Sequence, residues 1–147
     1  MVSERTPSSL VPKSGAMSAS PPRVLVVDDE VSIREMLAEF LELEGYIVAT
    51  AEDGMAALDI LVGANFDVVL TDMKMPRMGG ITLLGQIEKH APTTMAVIMT
   101  GFGTVETAID AMKRGAYDYV LKPFKLDEVL HVVRRAIDKR RMRLENI

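Results

Sequence analysis

The residues able to do chemistry in this sequence stand at the ends of apolar runs. VLVV ends in Asp28 and Asp29, DVVLT in Asp72 and AVIM in Thr100, while YVL runs into Lys122 and Pro123. Three carboxylates, a hydroxyl and an ammonium suit phosphoryl transfer to a carboxylate. In that reaction one acid attacks phosphorus in line, a divalent cation and the ammonium neutralise the equatorial oxygens, and the hydroxyl donates a hydrogen bond. Two unit charges about 4 Å apart repel by roughly 4 kcal/mol at an effective dielectric near 20, so three clustered acids need a cation or a raised pKa.

There is no cysteine, and the two histidines, His90 and His131, fall in helical segments and read as surface residues. The available ligands are therefore oxygens, and a few carboxylates plus water suit Mg²⁺ better than Ca²⁺. Asp72 is the best nucleophile of the three: it stands singly and is followed by MKMPRMGG, whose proline and paired glycines allow a tight, open turn. Neither an EF-hand loop nor a G-x-x-x-x-G-K-[ST] phosphate loop is present, which removes the usual support for nucleotide hydrolysis.

Such a set needs an architecture that brings strand ends together. In open parallel α/β sheets the ligand crevice lies beyond the carboxyl ends of the strands. Short β-branched runs at 24–27, 47–50, 68–71, 96–100 and 119–121 alternate with helical stretches, which predicts a doubly wound parallel (βα)5 sheet. Ile33, Met36, Leu37, Phe40 and Leu41 mark a one-faced helix stopped by Gly45. Leu58, Leu61 and Val62 mark a second, Ile81, Leu84 and Ile87 a third, and Val105, Ala108, Ile109 and Met112, before Gly115, a fourth.

The last helix starts near Leu126 and overruns the domain. Leu126, Val133, Arg140 and Ile147 are spaced by seven, as are Leu130, Ile137 and Leu144, so the rows form an a/d seam with one polar member. This is the pattern of a dimer stalk; in the alternative, only its first half packs, on the domain's own sheet, and the rest frays.

The chain has 147 residues, about one domain's worth, and a net charge of −4. Residues 134–147 hold six basic and two acidic residues, leaving 11 basic and 19 acidic before them. That basic tail fits a solvated helix face better than a nucleic-acid contact, since no nucleic-acid-binding motif accompanies it. Residues 1–22 are rich in Ser and Pro and read as a disordered leader, in which SSLVPKSG has the look of an appended linker and Met17 of a second start. No signal-peptide h-region and no membrane-length apolar run is present, so a cytoplasmic protein with no membrane partner is expected.

VLVVDDE, DVVLTDMKMPRMGG, VIMTGFG and GAYDYVLKPF, in this order and spacing, resemble the response-regulator receiver domain of two-component signalling. The resemblance covers residues 23–133, with 134–147 a continuation of the last helix. It implies a flavodoxin-like sheet of strand order 2-1-3-4-5. It also implies that Asp72 accepts phosphate from a sensor histidine kinase. Asp29, Asp72 and the Lys74 carbonyl would ligate Mg²⁺, with Asp28 acting through water. Lys122 would pair with the phosphoryl group, Thr100 and Tyr119 would act as switch residues, and the Lys122–Pro123 peptide would be cis.

The resemblance also implies that Lys74 and Phe102 would flank the approach of a hydrolytic water, and a bulky Phe102 is expected to slow dephosphorylation. The family would dimerise through helix 4, strand 5 and helix 5. Of Met73, Met75, Met78, Met95, Met99 and Met112, only those exposed near the fourth and fifth helices are expected to meet a partner.

Within the family the closest resemblance is to receivers of the nitrogen-regulation type, which precede an ATPase and a DNA-binding domain in enhancer-binding activators. Neither follows here, which reads as an excised receiver or a standalone regulator that neither binds DNA nor hydrolyses ATP by itself. Two rival readings remain at this stage. One is a hydrolase of the haloacid-dehalogenase kind, disfavoured because Lys74 stands where that family wants a second Asp. The other is a receiver-like interaction module that never takes phosphate.

Overall fold

The computed structural model describes residues 20–101 and 105–145. Among the described residues five strands alternate with five helices: β1 (Arg23–Val27), α1 (Val31–Leu43), β2 (Ile47–Ala51), α2 (Gly54–Leu61), β3 (Val68–Asp72), α3 (Gly80–His90), β4 (Met95–Gly101), α4 (Val105–Lys113), β5 (Asp118–Lys122) and α5 (Leu126–Glu145). All pairings are parallel and the strand order is β2-β1-β3-β4-β5, the flavodoxin-like (βα)5 plan expected from the sequence.

Alternation along the strands explains their composition. Val24, Val26, Val68, Leu70, Val97 and Met99 point to one face and pack with Leu37 and Leu41 of α1 and Val129, Val133 and Ile137 of α5. Leu25, Val27, Val69 and Ile98 point to the other, against Ala57 and Leu61 of α2, Leu83, Leu84 and Ile87 of α3 and Ala111 of α4. Both faces are covered, so the runs are apolar throughout. Each fully buried Leu or Val contributes roughly 1.5–3 kcal/mol relative to exposure. Gly45, just past α1, takes a φ of 99°, a conformation glycine adopts without a Cβ penalty.

Every strand is a residue or two longer than its apolar run. Ladder pairing needs only the backbone, so polar Arg23, Asp72, Asp118 and Lys122 extend the strands. Asp72 and Lys122 are consequently held by the sheet rather than carried on loops. Two helical stripes also differ from expectation. In α4 the buried residues among those described are Ala108 and Ala111, while Ile109 and Met112 are exposed. Val62 is exposed because α2 ends at Leu61.

The first part of the seam on α5 is turned inward, whereas Leu144 near its end is exposed. Val133 and Ile137 are core residues, and Leu126 and Leu130 pack against them. The polar member, Arg140, has a local reason: its Nη1 donates to Asp67 Oδ1 at 2.9 Å and its Nε to the Thr93 carbonyl at 3.1 Å. Arg141 adds bonds to both Asp67 oxygens, at 3.1 and 3.2 Å. The solvated-face expectation therefore fails for these two arginines, since Asp67 is buried just before β3 and draws them in. Ile147, and residues 1–19 of the expected leader, lie outside the described residues. No helix among the described residues is long and apolar enough to cross a membrane.

Candidate functional site

Sheet register decides which strand ends meet. Val27 of β1 pairs with Thr71 of β3, so the next residues, Asp28 and Asp72, emerge side by side. Asp72 pairs with Met99 and Gly101 with Lys122, which brings Thr100 and Lys122 along the same edge. Neighbouring strands lie about 4.8 Å apart, a spacing that lets their terminal side chains touch.

The three acids converge: carboxylate oxygens of Asp28, Asp29 and Asp72 all lie within 4.8 Å of one another. Asp28 is fully buried, Asp29 exposed and Asp72 between the two. Lys122 Nζ donates to Asp28 Oδ2 at 3.1 Å and stands 3.3 Å from Asp72 Oδ1. Asp28 Oδ1 accepts the Glu30 N–H at 2.9 Å, and the Asp28 carbonyl accepts from Arg34 Nη1 at 2.7 Å. Asp72 Oδ1 accepts the Met73 N–H at 2.9 Å.

Electrostatics follow from this crowding. Burial, and then the neighbouring Asp28 charge, push the Asp72 carboxyl above its usual value against the pull of Lys122. For Lys122 burial alone would lower the ammonium, but its bond to Asp28 and the charges of Asp72 and Asp28 outweigh it and hold it above the ordinary lysine value. One ammonium, paired with Asp28 and Asp72, among three acids leaves negative charge in excess. An all-oxygen donor set carrying that excess fits a hard divalent cation.

Beside the acids opens a cleft of about 490 Å³ lined by Asp72, Met73, Lys74, Thr100, Gly101, Thr107 and Lys122. Thr100 is buried and Lys74 exposed. The Lys122–Pro123 peptide is cis. Tyr119 does not line this cleft; it is 38% exposed and borders a separate groove with Leu121 and His131. Phe102 lies outside the described residues. Of the methionines, Met95 and Met99 are core, Met73, Met75 and Met78 pack against it, and Met112 is exposed.

Several supports escaped sequence reasoning. Gly80 lies so close to the nucleophile candidate that an added Cβ would stand 2.5 Å from the Asp72 carbonyl oxygen. The paired glycines signalled a turn, but not this approach. Arg77, in the same loop, has a φ of 67°, a left-handed conformation that costs a side-chain-bearing residue about 1 kcal/mol. Its guanidinium forks onto Asp53, which also caps α2 by accepting the Ala56 N–H.

Comparison with known proteins gives one consistent answer. The family profile described as the response regulator receiver domain matches residues 24–134. Regulatory protein AtoC of Escherichia coli is 42% identical over 123 residues, covering 84% of this chain and 27% of that protein. DNA-binding transcriptional regulator NtrC of Escherichia coli is 41% identical over 114 residues, covering 78% and 24%. The chain thus spans about a quarter of the length of the curated relatives it matches. Among solved structures, the receiver domain of NtrX from Brucella abortus superposes with a TM-score of 0.75 at 40% identity, covering 78% of this chain and 98% of that one.

Proposed function

Because the chain belongs to the response regulator receiver family, we propose that it is a phosphorylation-controlled switch in which Asp72 takes a phosphoryl group from the phosphohistidine of a sensor histidine kinase. The observation that carries this reading is the cluster of Asp28, Asp29 and Asp72 with Lys122 bonded among them, at the strand-end edge of a receiver fold. Residues 23–133 act as the receiver unit, and residues 134–147 continue α5 as a linker or stalk.

Asp29, Asp72 and the Lys74 backbone carbonyl would hold Mg²⁺, with Asp28 acting through water. When bound, the ion supplies charge neutralisation at the transferring phosphoryl oxygens. The rest is done by the chain. A carboxylate oxygen of Asp72 forms the new bond to phosphorus while the phosphorus–nitrogen bond of the donor breaks. Lys122 keeps its proton and offers it to a phosphoryl oxygen, and Thr100 donates a second hydrogen bond. Hydrolysis by water returns the Asp72 carboxylate and releases inorganic phosphate, with Lys74 bordering the cleft from which the water would approach. The protein in this sense catalyses its own phosphorylation and dephosphorylation rather than turning over a substrate.

An acyl phosphate adds about −1.5 to −2 charges and three acceptor oxygens. Thr100 and Tyr119 translate that change into a shift of the face made by α4, β5 and α5. Two copies pair through that face, or through α5, and the switch governs a transcription-regulating output of the kind named in the NtrC relative. By itself the chain acts in the cytoplasm, on neither nucleic acid nor membrane.

Incubation with acetyl phosphate and Mg²⁺ tests the reading: the expected result is a mass gain of one phosphoryl group, absent in Asp72→Asn. No gain with any small donor would favour a module that never takes phosphate, and steady hydrolysis of phosphomonoesters would favour a hydrolase.

A further inference from the structure

We propose that Arg77 and Asp53 are a positioning pair that docks the β3–α3 loop onto the first turn of α2 and so fixes where Lys74 presents its carbonyl to the acid trio. This deepens, and rests on, the reading of Asp72 as the phosphoryl acceptor. Arg77 follows Asp72 in the loop that also carries Lys74, and among the described residues it is the only non-glycine with a positive φ. An exposed arginine holds such a backbone only where something outside the loop keeps it there.

That something is Asp53. Arg77 Nε donates to Asp53 Oδ2 at 2.6 Å and Nη2 to Oδ1 at 3.0 Å, a two-pronged contact suited to the planar guanidinium. The Asp53 side chain is only 4% exposed and accepts the Ala56 N–H at 2.9 Å, so the anchor itself is fixed to α2.

Two backbone contacts complete the dock. The Gly54 N–H donates to the Met78 carbonyl at 3.0 Å, and a Cβ on Gly54 would lie 2.6 Å from that same oxygen, so the first turn of α2 and the loop are in direct apposition. At the loop's close the Gly80 N–H donates to the Met73 carbonyl at 2.9 Å. Lys74 lies on the segment between these fastenings. None of the three uses a residue of the acid trio, which leaves the carboxylates free for their own ligands.

The test combines amide hydrogen exchange of residues 73–79 without Mg²⁺, calorimetric Mg²⁺ titration and thermal melting. Arg77→Gly should speed loop exchange and raise the Mg²⁺ dissociation constant, each by about fivefold. Its melting temperature should fall only slightly, because relief of the left-handed arginine backbone offsets part of the lost Asp53 contact. Asp53→Asn keeps an acceptor for the Ala56 N–H and should reproduce the effect, and Arg77→Lys, which lacks the fork, should fall between. Unchanged exchange and affinity in Arg77→Gly would overturn the proposal, as would losses that merely track a lowered melting temperature. A parent chain that bound no Mg²⁺ would instead sink the reading of Asp72, a separable result because the exchange measurement needs no ion.

Discussion

Lys122 and Asp28 form the dry floor of the site: Nζ lies 3.1 Å from Oδ2, with Asp28 wholly shielded from water and the lysine side chain 19% exposed. The same ammonium touches Asp72 at 3.3 Å, so it already occupies part of the negative field that a divalent ion would use.

Removing that ammonium should separate ion binding from chemistry. In Lys122→Met the acids lose their internal cation and compete less for it, so Mg²⁺ should bind about tenfold more tightly. Phosphorylation by acetyl phosphate should nevertheless slow by roughly a hundredfold, because the developing phosphoryl charge loses a fixed donor. Calorimetry and a phosphorylation time course check the two signs; weaker Mg²⁺ binding would contradict the competition.

The glycines of α3 should answer alanine in opposite directions. At Gly80 the new methyl would stand 2.5 Å from the Asp72 carbonyl oxygen, and backbone must move. Gly80→Ala should cost about 2 kcal/mol and impair phosphorylation. At Gly85 nothing lies within 4 Å of the added Cβ, so Gly85→Ala should gain about 0.5–1 kcal/mol with phosphorylation unchanged. Urea unfolding of both variants is the measurement.

Asp67 should contribute to acid sensitivity. Burial would raise its pKa, but bonds from Arg141, the Arg23 N–H and Arg140 prevail and hold it below the ordinary value of 3.8. A carboxyl depressed in the folded state gives stability that is complete above that ordinary value and is lost as pH falls below it, through the folded pKa. Asp67→Asn should therefore cost about 2 kcal/mol at neutral pH and flatten the decline of stability below about pH 4. Unfolding curves at pH 7 and pH 3 decide it, and an unchanged slope would count against the junction.

On the α4–β5–α5 side, Leu121 is 48% exposed, and Tyr119, Ile109 and Met112 are exposed with it. If copies pair through this face, Leu121→Asp should weaken the dimer by about tenfold while phosphorylation of Asp72 proceeds at the parent rate. Sedimentation of the phosphorylated protein measures it. An undiminished dimer would move the interface elsewhere.

Much of this was legible in the chain. The valine runs fixed the strands because a sheet covered on both faces admits only apolar side chains, and the acids after Val27 and Thr71 followed from where those runs stop. Register was not legible: that Asp28 stands beside Asp72 depends on Val27 pairing with Thr71, which local pattern does not encode. The junction at Asp67 and the Arg77–Asp53 pair were hidden for a related reason. Each joins residues far apart in sequence, and a charged residue in a loop looks the same whether it faces water or a buried partner. The stripe on α4 misled because alanine carries little weight in a hydrophobic pattern, yet it is alanine that faces the sheet.

That alanine contact sets how compliant the molecule is. α3 is nailed to the sheet by Leu83, Leu84 and Ile87, whereas the buried described side chains of α4 are Ala108 and Ala111, two methyl groups. Lifting two methyls off a core costs on the order of 2 kcal/mol. One hydrogen bond to a charged group contributes about 1.5–3 kcal/mol, which is comparable with this described alanine contact and small beside the anchorage of its leucine-rich neighbour. The fold therefore has a soft wall and a stiff one, and the soft one borders the side on which Thr100 stands.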